Sequence, residues 1–323
     1  MNQIINLLKN SNHILIASHA NPDGDAIGAL IALGISLEAL KKKTTLYNES
    51  PIPAIYRFLP AVDRIVRHID DQNLFDTAVV LDCGNLERIG DAFLTISHIP
   101  HIINIDHHVT NTRFGEFHLI DPSACATSEL VYSLIRRMEI DIDLATATSI
   151  YAGILTDTGS FRFANTNKAA FDICAEMIGL GVEPYSIAQH VYETYSFGRI
   201  KLLNLALDSI EISKNGKLSM MTVTQEMLNE TGTKREDIDG FINYARGIEN
   251  VQVAVLIQEL FNDKKEVKSH EHFHVSLRSN GTINVAEIAS NFEGGGHFSA
   301  AGFSMESTLA HLKSRIGKLT ETL

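Results

Sequence analysis

The chain has 323 residues, of which 45% are hydrophobic and 20% are charged, and its formal net charge at pH 7 is −12. This length suffices for two domains with a full-sized core, and the composition is typical of an ordinary soluble protein. The acidic balance argues against a protein that binds long nucleic acids across a basic surface. A small anion held by a few local cations is still compatible with it.

The three cysteines, Cys83, Cys125 and Cys174, are too few and too scattered for a disulfide framework, and no C-x-x-C pair indicates a structural zinc site. The N-terminus lacks the basic region and apolar run of a signal peptide. No stretch approaches the ~18 apolar residues of a membrane span. We therefore expect a cytoplasmic protein with no membrane contact.

Up to about residue 185, apolar strand-like runs alternate with runs of helical period. Strands are predicted at 14–18, 44–48, 78–82 and 102–106, and helices at 26–43, 128–137 and 144–155. Asp143 is predicted to cap the last of these helices, and the segment 165–167 to cap the next one. This alternation predicts βαβ units and a mostly parallel sheet.

The second part of the chain has a different predicted order of strands and helices. A helical connecting segment is followed by a predicted hairpin, 210–213 and 218–224, whose Asn215-Gly216 turn favours that structure. Strands at 251–260 and 273–278 and helices at 284–291 and 308–319 complete it. We expect an α/β protein: a parallel-sheet N-terminal domain at 1–185, a connecting helical segment at 186–209, and a smaller α+β domain at 210–323.

The first predicted strand leads into a tight turn, His19-Ala20-Asn21-Pro22-Asp23-Gly24-Asp25. In open α/β sheets, ligands bind at the carboxyl ends of the strands. One imidazole and two carboxylates crowded into one turn repel unless a cation holds them. The turn therefore predicts half of a metal site.

Three further segments carry comparable side chains: Asp82 at the end of a strand, Asp106-His107-His108 at the end of another, and Asp157 at the end of an apolar helix. Taken singly, each Asp is most often a helix cap or a turn former. Because the ends of parallel strands meet at one edge, together they predict a shared site. Carboxylates and imidazoles suit Mn²⁺ or Mg²⁺, with zinc as the second choice. Two ions ~3.5–4 Å apart that share a carboxylate would support phosphoryl transfer.

These four motifs resemble those of the DHH phosphoesterase superfamily, and the segment GGGHFSAAG at 294–302 resembles the signature of its DHHA1 C-terminal domain. The five motifs fall in the family's order and cover nearly the whole chain. The length and the two-domain layout resemble the NrnA type, nanoRNases that also act as pAp phosphatases. The resemblance implies two divalent cations, Mn²⁺ first and Mg²⁺ or Zn²⁺ as alternatives, a substrate cleft between the domains, and a homodimer.

The resemblance also implies which side chains bind the two ions, with Asp82 as the bridge between them. The other implied ligands are His19 and Asp23 on one ion, and Asp25, His107 and Asp157 on the other.

His108 matches a residue that the family places near the scissile phosphate. There it could donate to a phosphoryl oxygen or protonate the leaving oxygen, and a role in local structure is the alternative. Asp106 is expected to orient an imidazole rather than to bind metal.

The glycine run predicts an anion site in the second domain. The backbone N–H groups of Gly295 and Gly296 can approach an anion, a following helix start would add its dipole, and His297 would add a donor; a flexible loop is the alternative. Arg278 matches the phosphate-binding arginine of the family, and its fork suits a terminal phosphate. Arg246 either assists Arg278 or is an ordinary surface arginine.

The leading hypothesis is a metal-dependent phosphodiesterase that acts on short RNA oligonucleotides and linear dinucleotides such as pGpG and pApA, and on pAp as a 3′-phosphatase. It would release 5′-mononucleotides by attack of a metal-activated water on phosphorus, and it would not act on long duplexes. A manganese pyrophosphatase shares the four N-terminal motifs but not the DHHA1-like segment. An exonuclease of the RecJ kind would need extra DNA-binding domains, and a non-catalytic nucleotide-binding protein would normally show a broken ligand set.

Overall fold

The computed structural model describes residues 1–69, 74–193, 195–260, 271–296 and 298–320. The chain forms two compact units, Met1–Thr194 and Tyr195–Leu323. The predicted connecting segment at 186–209 stays a prediction. Within the described parts of the chain, none of the helices combines the length and the apolar character needed to cross a lipid bilayer.

The first unit is built on a parallel sheet whose five described strands have the order β2-β1-β3-β4-β5. The strands are β1 His13–Ser18, β2 Lys43–Tyr47, β3 Thr77–Leu81, β4 His101–Asp106 and β5 Phe117–Ile120. The predicted α/β class and parallel sheet are confirmed. Strand β5 was not predicted, because it is a four-residue edge strand that is only half-buried along its length.

Helices cover this sheet, and two of them begin or end at predicted metal ligands: Asp23 caps α2, and Asp157 ends α5. They are α1 Asn2–Asn10, α2 Gly24–Ala39, α3 Phe93–Ser97, α4 Thr127–Arg137, α5 Leu144–Asp157, α6 Lys168–Gly179 and α7 Pro184–Ala188, with a π-helical turn at Gln189–Glu193. The predicted caps are present: Asp143 accepts from the N–H of Thr146, and Asn167 accepts from that of Ala170. Helix α5 continues past the predicted residue 155 to Asp157.

Helices α2 and α5 approach each other closely at two buried glycines. A Cβ atom on Gly28 would lie 2.4 Å from the carbonyl oxygen of Ser149 in α5, and one on Gly153 would lie 2.9 Å from Oδ1 of Asp25 in α2. Asp25 lies in the first turn of α2 and Asp157 ends α5. The glycines therefore allow the two carboxylates to come close together.

Gly28→Ala is expected to destabilise the chain by about 1–3 kcal/mol, because the added methyl group overpacks this helix contact. Thermal unfolding should show it as a fall in Tm of about 2–4 °C per kcal/mol. Gly179→Ala is the matched control, since a Cβ there would meet no atom within 4 Å. Equal Tm values for the two variants would contradict the close approach of the helices.

The second unit contains a mixed sheet whose described strands have the order β10-β11-β9-β8-β7-β6. The strands are β6 Glu211–Ile212, β7 Leu218–Val223, β8 Val253–Leu260, β9 Glu271–Ser279, β10 Gly295–Gly296 and β11 Ala300–Ser307. The predicted hairpin is confirmed as the antiparallel pair β6–β7. Strands β7 and β8 are parallel.

The helices of this unit cover the two faces of its sheet unequally. They are α8 Phe197–Asp208, α9 Gln225–Thr231, α10 Ile242–Arg246, α11 Val285–Ser290 and α12 Leu309–Thr320. One face packs against α11 and α12 through Phe273, Val275 and Leu277. On the other face, α8, α9 and α10 pack against side chains of β7 and β8, such as Val223 and Leu256.

The helix start that was expected after the glycine run is wrong. Gly295 and Gly296 form β10 and pair with β11, Gly295 opposite Gly302, and the chain continues as strand β11. A Cβ on Gly294 would lie 2.4 Å from the carbonyl oxygen of Gly302. Close packing against β11 thus requires glycine at 294 and at 296, whereas a Cβ on Gly295 would meet no atom within 4 Å. Among the described residues that follow, 298–307, no helix begins, so the dipole invoked for anion binding is not supplied there.

Candidate metal centre

Hydrogen bonds at both ends of the segment His19–Asp25 fix the turn after β1. Asn48 donates from Nδ2 to the Oγ of Ser18 at 2.9 Å and to the carbonyl oxygen of His19 at 2.8 Å. Asp23 is the N-cap of α2 and accepts from the backbone N–H groups of Asp25 and Ala26. The imidazole and the two carboxylates of the turn are therefore held on a rigid support.

Asp25 is buried and linked to the start of helix α4. Its two carboxylate oxygens accept from the backbone N–H groups of Thr127 at 2.6 Å and Ser128 at 2.9 Å. These are first-turn N–H groups that have no partner within the helix, and the helix dipole also favours a negative charge there. Asp25 thus joins α2 to α4.

Asp82 lies directly after β3 and is 2% exposed. Its φ of 54° lies in the left-handed region, which is unfavourable for a residue other than glycine. Its N–H donates to the carbonyl oxygen of Ile105, and its Oδ1 accepts from the Thr127 hydroxyl at 3.0 Å. Strained backbone held by several hydrogen bonds is a recurrent feature of functional sites.

Two imidazoles point their Nε2 atoms at these carboxylates. His19 Nε2 lies 3.4 Å from Asp82 Oδ2. His107 Nε2 lies 3.7 Å from Asp82 Oδ1 and 3.6 Å from Asp157 Oδ2. The Nδ1 atoms lie next to backbone carbonyl oxygens, of Ala20 at 2.9 Å and of Ala124 at 3.2 Å. A ring held at Nδ1 by a carbonyl group presents Nε2 as a ligand atom, which is the usual arrangement at metal sites.

The structure brings together all six side chains that the sequence predicts as metal ligands. Three sets have one ligand atom per residue, all within 4.8 Å of one another. They are His19–Asp23–Asp82, Asp25–His107–Asp157 and Asp82–His107–His108. The first two sets contain the six predicted ligands, and the distribution of these ligands over two ions stays a prediction.

The carboxylates affect one another because they are close and buried. Burial raises the pKa of Asp25 to about 7, and the charge of Asp82 acts in the same direction. The pKa of Asp157 is also raised, by burial and by Asp25. Burial would raise the pKa of Asp82 as well, but the hydrogen bond and the charge of His19 hold it below its usual range. Some positive charge is therefore needed to keep this centre ionised.

The imidazoles respond in the opposite way. Burial alone would lower the pKa values of His19 and His107, yet the neighbouring carboxylates raise both to about 9. In His19 the main opposing group is Asp82, and in His107 it is Asp157. A divalent cation could supply the same positive charge, and this mixture of carboxylate oxygens and imidazole nitrogens suits such an ion.

The carboxylate of Asp106 holds the ring of His108 at Nδ1. Its Nδ1 lies 2.6 Å from Asp106 Oδ1 and 3.6 Å from Asp82 Oδ1. Asp106 is fully buried, and its other oxygen accepts from Asn111. Asp106 therefore fixes the ring of His108 next to the carboxylates.

Two residues at this centre were missed or given another role from the sequence. Thr127 donates to Asp82, and Asn165 donates from Nδ2 to Asp157 Oδ2 at 3.1 Å and to the carbonyl oxygen of Cys125 at 2.8 Å. Asn165 was expected only as part of a helix cap. Neither residue stands at a spacing from the motifs that could have identified it.

The predicted substrate-binding residues lie in the second unit. Arg278 is near the end of β9, and burial together with the charge of Arg246 lowers its pKa, against the effect of Asp239. Arg278 and Arg246 are therefore near each other. Gly295 and Gly296 lie in β10, and His297 lies outside the described residues.

Family models match both parts of the chain: the DHH family N-terminal domain at residues 13–154 and the DHHA1 domain at residues 217–323. The bifunctional oligoribonuclease and PAP phosphatase NrnA of Thermus thermophilus is 34% identical over 91% of this chain and 84% of its own length. The chain belongs to the DHH phosphoesterase family.

Two other relatives agree with this assignment. NrnA of Bacillus subtilis is 26% identical over 94% of this chain and 93% of its own length. The crystal structure of an exopolyphosphatase-related protein from Bacteroides fragilis matches with a TM-score of 0.89 and 27% identity, covering 98% of this chain and 95% of the other. DHH-family proteins are metal-dependent hydrolases, so the buried carboxylates and imidazoles are the candidate metal centre of this DHH phosphoesterase.

Thr127→Val is expected to weaken Mn²⁺ binding about 10–100-fold, because residues that hold a metal ligand contribute on that scale. The substitution removes the hydroxyl donor to Asp82 and keeps the backbone N–H that Asp25 accepts. Titration calorimetry with Mn²⁺ measures the effect. Thr148→Val is the control, because the Thr148 hydroxyl donates to the carbonyl oxygen of Leu144 within its own helix α5. Unchanged affinity in Thr127→Val would show that this hydroxyl does not support the centre.

Proposed function

We propose that this DHH phosphoesterase hydrolyses short oligoribonucleotides and linear dinucleotides such as pGpG and pApA to 5′-mononucleotides, and removes the 3′-phosphate of pAp. Two relatives that match it over most of their length are named as oligoribonucleases and PAP phosphatases. The observation that carries the proposal is that the two oxygens of Asp82 lie 3.4 Å from His19 Nε2 and 3.7 Å from His107 Nε2, which lets one carboxylate serve both sets of candidate ligands.

Two divalent cations, with Mn²⁺ preferred, fit the number of donors. One ion would be held by His19, Asp23 and Asp82 and the other by Asp25, Asp82, His107 and Asp157, in line with the sets of neighbouring ligand atoms. When bound, such a pair activates water and stabilises the leaving oxygen in phosphoryl transfer. Asp82 would be the carboxylate shared by the two ligand sets. The hydrogen bond and the charge of His19 keep its pKa low, and its hydrogen bonds with Thr127 and Ile105 hold it in place.

His108 is the proposed general acid or phosphoryl donor. Asp106 Oδ1 lies 2.6 Å from its Nδ1 and fixes the ring next to the carboxylates, and the proposed contact to a substrate oxygen is assigned to its Nε2. In the second unit, Arg278 is proposed to bind a terminal phosphate of the substrate, assisted by Arg246, the backbone of Gly295 and Gly296, and His297. A planar guanidinium fork suits this kind of phosphate. The cytoplasmic location and the homodimer stay predictions.

The enzyme loaded with Mn²⁺ is expected to release mononucleotides from a 5′-phosphorylated dinucleotide and phosphate from pAp, and to leave pyrophosphate and long single-stranded DNA almost intact. Chromatography of the products over a time course measures this. Treatment with EDTA should abolish the activity, and added Mn²⁺ should restore it. Pyrophosphate as the best substrate would replace the proposal with a pyrophosphatase, and full activity after exhaustive chelation would exclude a metal mechanism.

Asp82→Asn is expected to lower kcat by more than about a hundredfold, because the neutral amide cannot offset the charge of two cations. Metal analysis of the dialysed protein should show that more than one Mn²⁺ per chain is lost. Asp63→Asn, at an exposed carboxylate, is the control and should keep both metal and turnover. Loss of a single ion with the other retained would contradict the bridging role.

A further inference from the structure

The face of the second sheet that carries Arg278 is only partly covered by helices. Alternate residues of a strand share a face, so His274, Ser276 and Arg278 lie together on β9. Opposite them on β11 are Ser304, Gly302 and Ala300. In the described part of the chain, the apolar cluster on this face includes side chains of β7 and β8 but none of β9 or β11. These six residues form a polar strip, named here the β9–β11 strip.

His274 is fixed within the β9–β11 strip. Its Nδ1 lies 3.0 Å from the hydroxyl of Ser304, its cross-strand partner. A Cβ on Gly302 would lie 3.8 Å from His274 Nε2 and 2.9 Å from the carbonyl oxygen of Val275. The ring therefore extends over the bare backbone of Gly302, and Nε2 points away from Ser304.

The charges around His274 favour an anionic ligand. Burial lowers its pKa, and the positive charges of Arg235, Arg278 and His272 act in the same direction. A neutral ring with its hydrogen on Nε2 accepts at Nδ1 from the Ser304 hydroxyl and can donate at Nε2. Glu306, opposite His272, lies at the end of the pairing away from Arg278, whereas the charge of Asp239 acts on Arg278 and opposes the effects of burial and of Arg246 on its pKa. The part of the strip between His274 and Arg278 thus carries donors and positive charge.

We propose that His274, held by Ser304 over Gly302, is a second donor to the terminal phosphate that Arg278 binds. The phosphate monoester at the end of a short nucleotide is the ligand group, and His274 helps to select substrates that carry it. The inference rests on the proposed function, because it gives that function a specificity-determining residue. Glycine at 302 leaves the space beside His274 Nε2 open for the phosphate, since a side chain there would compete with the ligand for that space.

The experiment compares 5′-phosphorylated pApA with unphosphorylated ApA for wild type and His274→Ala. The variant should lose about tenfold in kcat/KM on pApA through a higher KM, which is typical of one hydrogen bond to a charged group. Activity on ApA should change less than twofold, because the missing partner is the terminal phosphate. His274→Gln, which retains a side-chain donor, should recover part of the loss, and Arg278→Ala is the benchmark for losing the phosphate.

His311→Ala is the matched control, an exposed histidine on α12, which packs against the opposite face of the sheet. Thermal unfolding of each variant separates a folding defect from a binding defect. Equal losses on pApA and ApA, or no loss on either, would overturn the inference.

A binding assay separates this inference from the proposed function. In EDTA, calorimetry measures the affinity of pAp and of adenosine for wild type and for His274→Ala. Weaker binding of pAp alone supports the phosphate contact even if wild type cleaves neither dinucleotide, in which case the proposed function fails. Equal pAp affinity for the two proteins overturns the contact.

Discussion

The first unit depends on how three carboxylates, the buried Asp25 and Asp82 and the half-buried Asp157, are kept next to one another. Carboxylates that lie close together in a poorly solvated place repel one another, and burial adds a desolvation cost for each ionised group. The protein offsets part of this cost with the N–H groups at the start of α4, the Thr127 hydroxyl and two imidazoles. The pKa values of Asp25 and Asp157 are nevertheless raised. The remaining repulsion is what a bound divalent cation would relieve, and it is the reason that this cluster is a candidate metal centre rather than a set of helix caps.

Bringing the carboxylates together requires close packing as well as the right topology. The parallel sheet places the ends of β1, β3 and β4 at one edge, and the turn or loop after each strand supplies a side chain. Asp157 comes instead from the end of helix α5, so its position depends on how near α5 lies to α2. The glycines at 28 and 153 allow that approach. Asp82 adds a strained backbone, held by its hydrogen bond to Ile105. A centre of this kind is preorganised by the packing around it.

Much of this arrangement could be predicted from the sequence, because the buried strands are continuous apolar runs and the polar residues at their ends are motifs with clear chemistry. Residues that act through tertiary contacts could not be found in this way. Thr127 reaches Asp82 across 45 positions, and no local pattern marks such a contact. The glycine run at 294–296 was wrongly expected to precede a helix, since the local signal for close backbone approach is the same for an anion-binding turn and for tight strand packing. Strand β11 was missed because Gly302 interrupts its apolar alternation.

The candidate metal centre of the first unit is negatively charged, whereas the proposed phosphate site of the second unit is positively charged. In the proposed function this difference sets the order in which metal and substrate bind. A centre rich in carboxylates repels phosphate until cations offset its charge, so metal must bind before a phosphodiester can approach it productively. The β9–β11 strip has the reverse character, since it carries the positive charge of Arg278 and its proposed contacts to phosphate require no metal. Removal of metal and removal of strip residues should therefore affect different steps. Loss of metal should lower the turnover of bound substrate, and loss of strip residues should weaken the binding of substrate. The proposed division of roles between the two units is also compatible with the net charge of −12. In the proposed function the cations that bind the substrate are a few local ones, and a substrate of one or two nucleotides would need no larger basic surface.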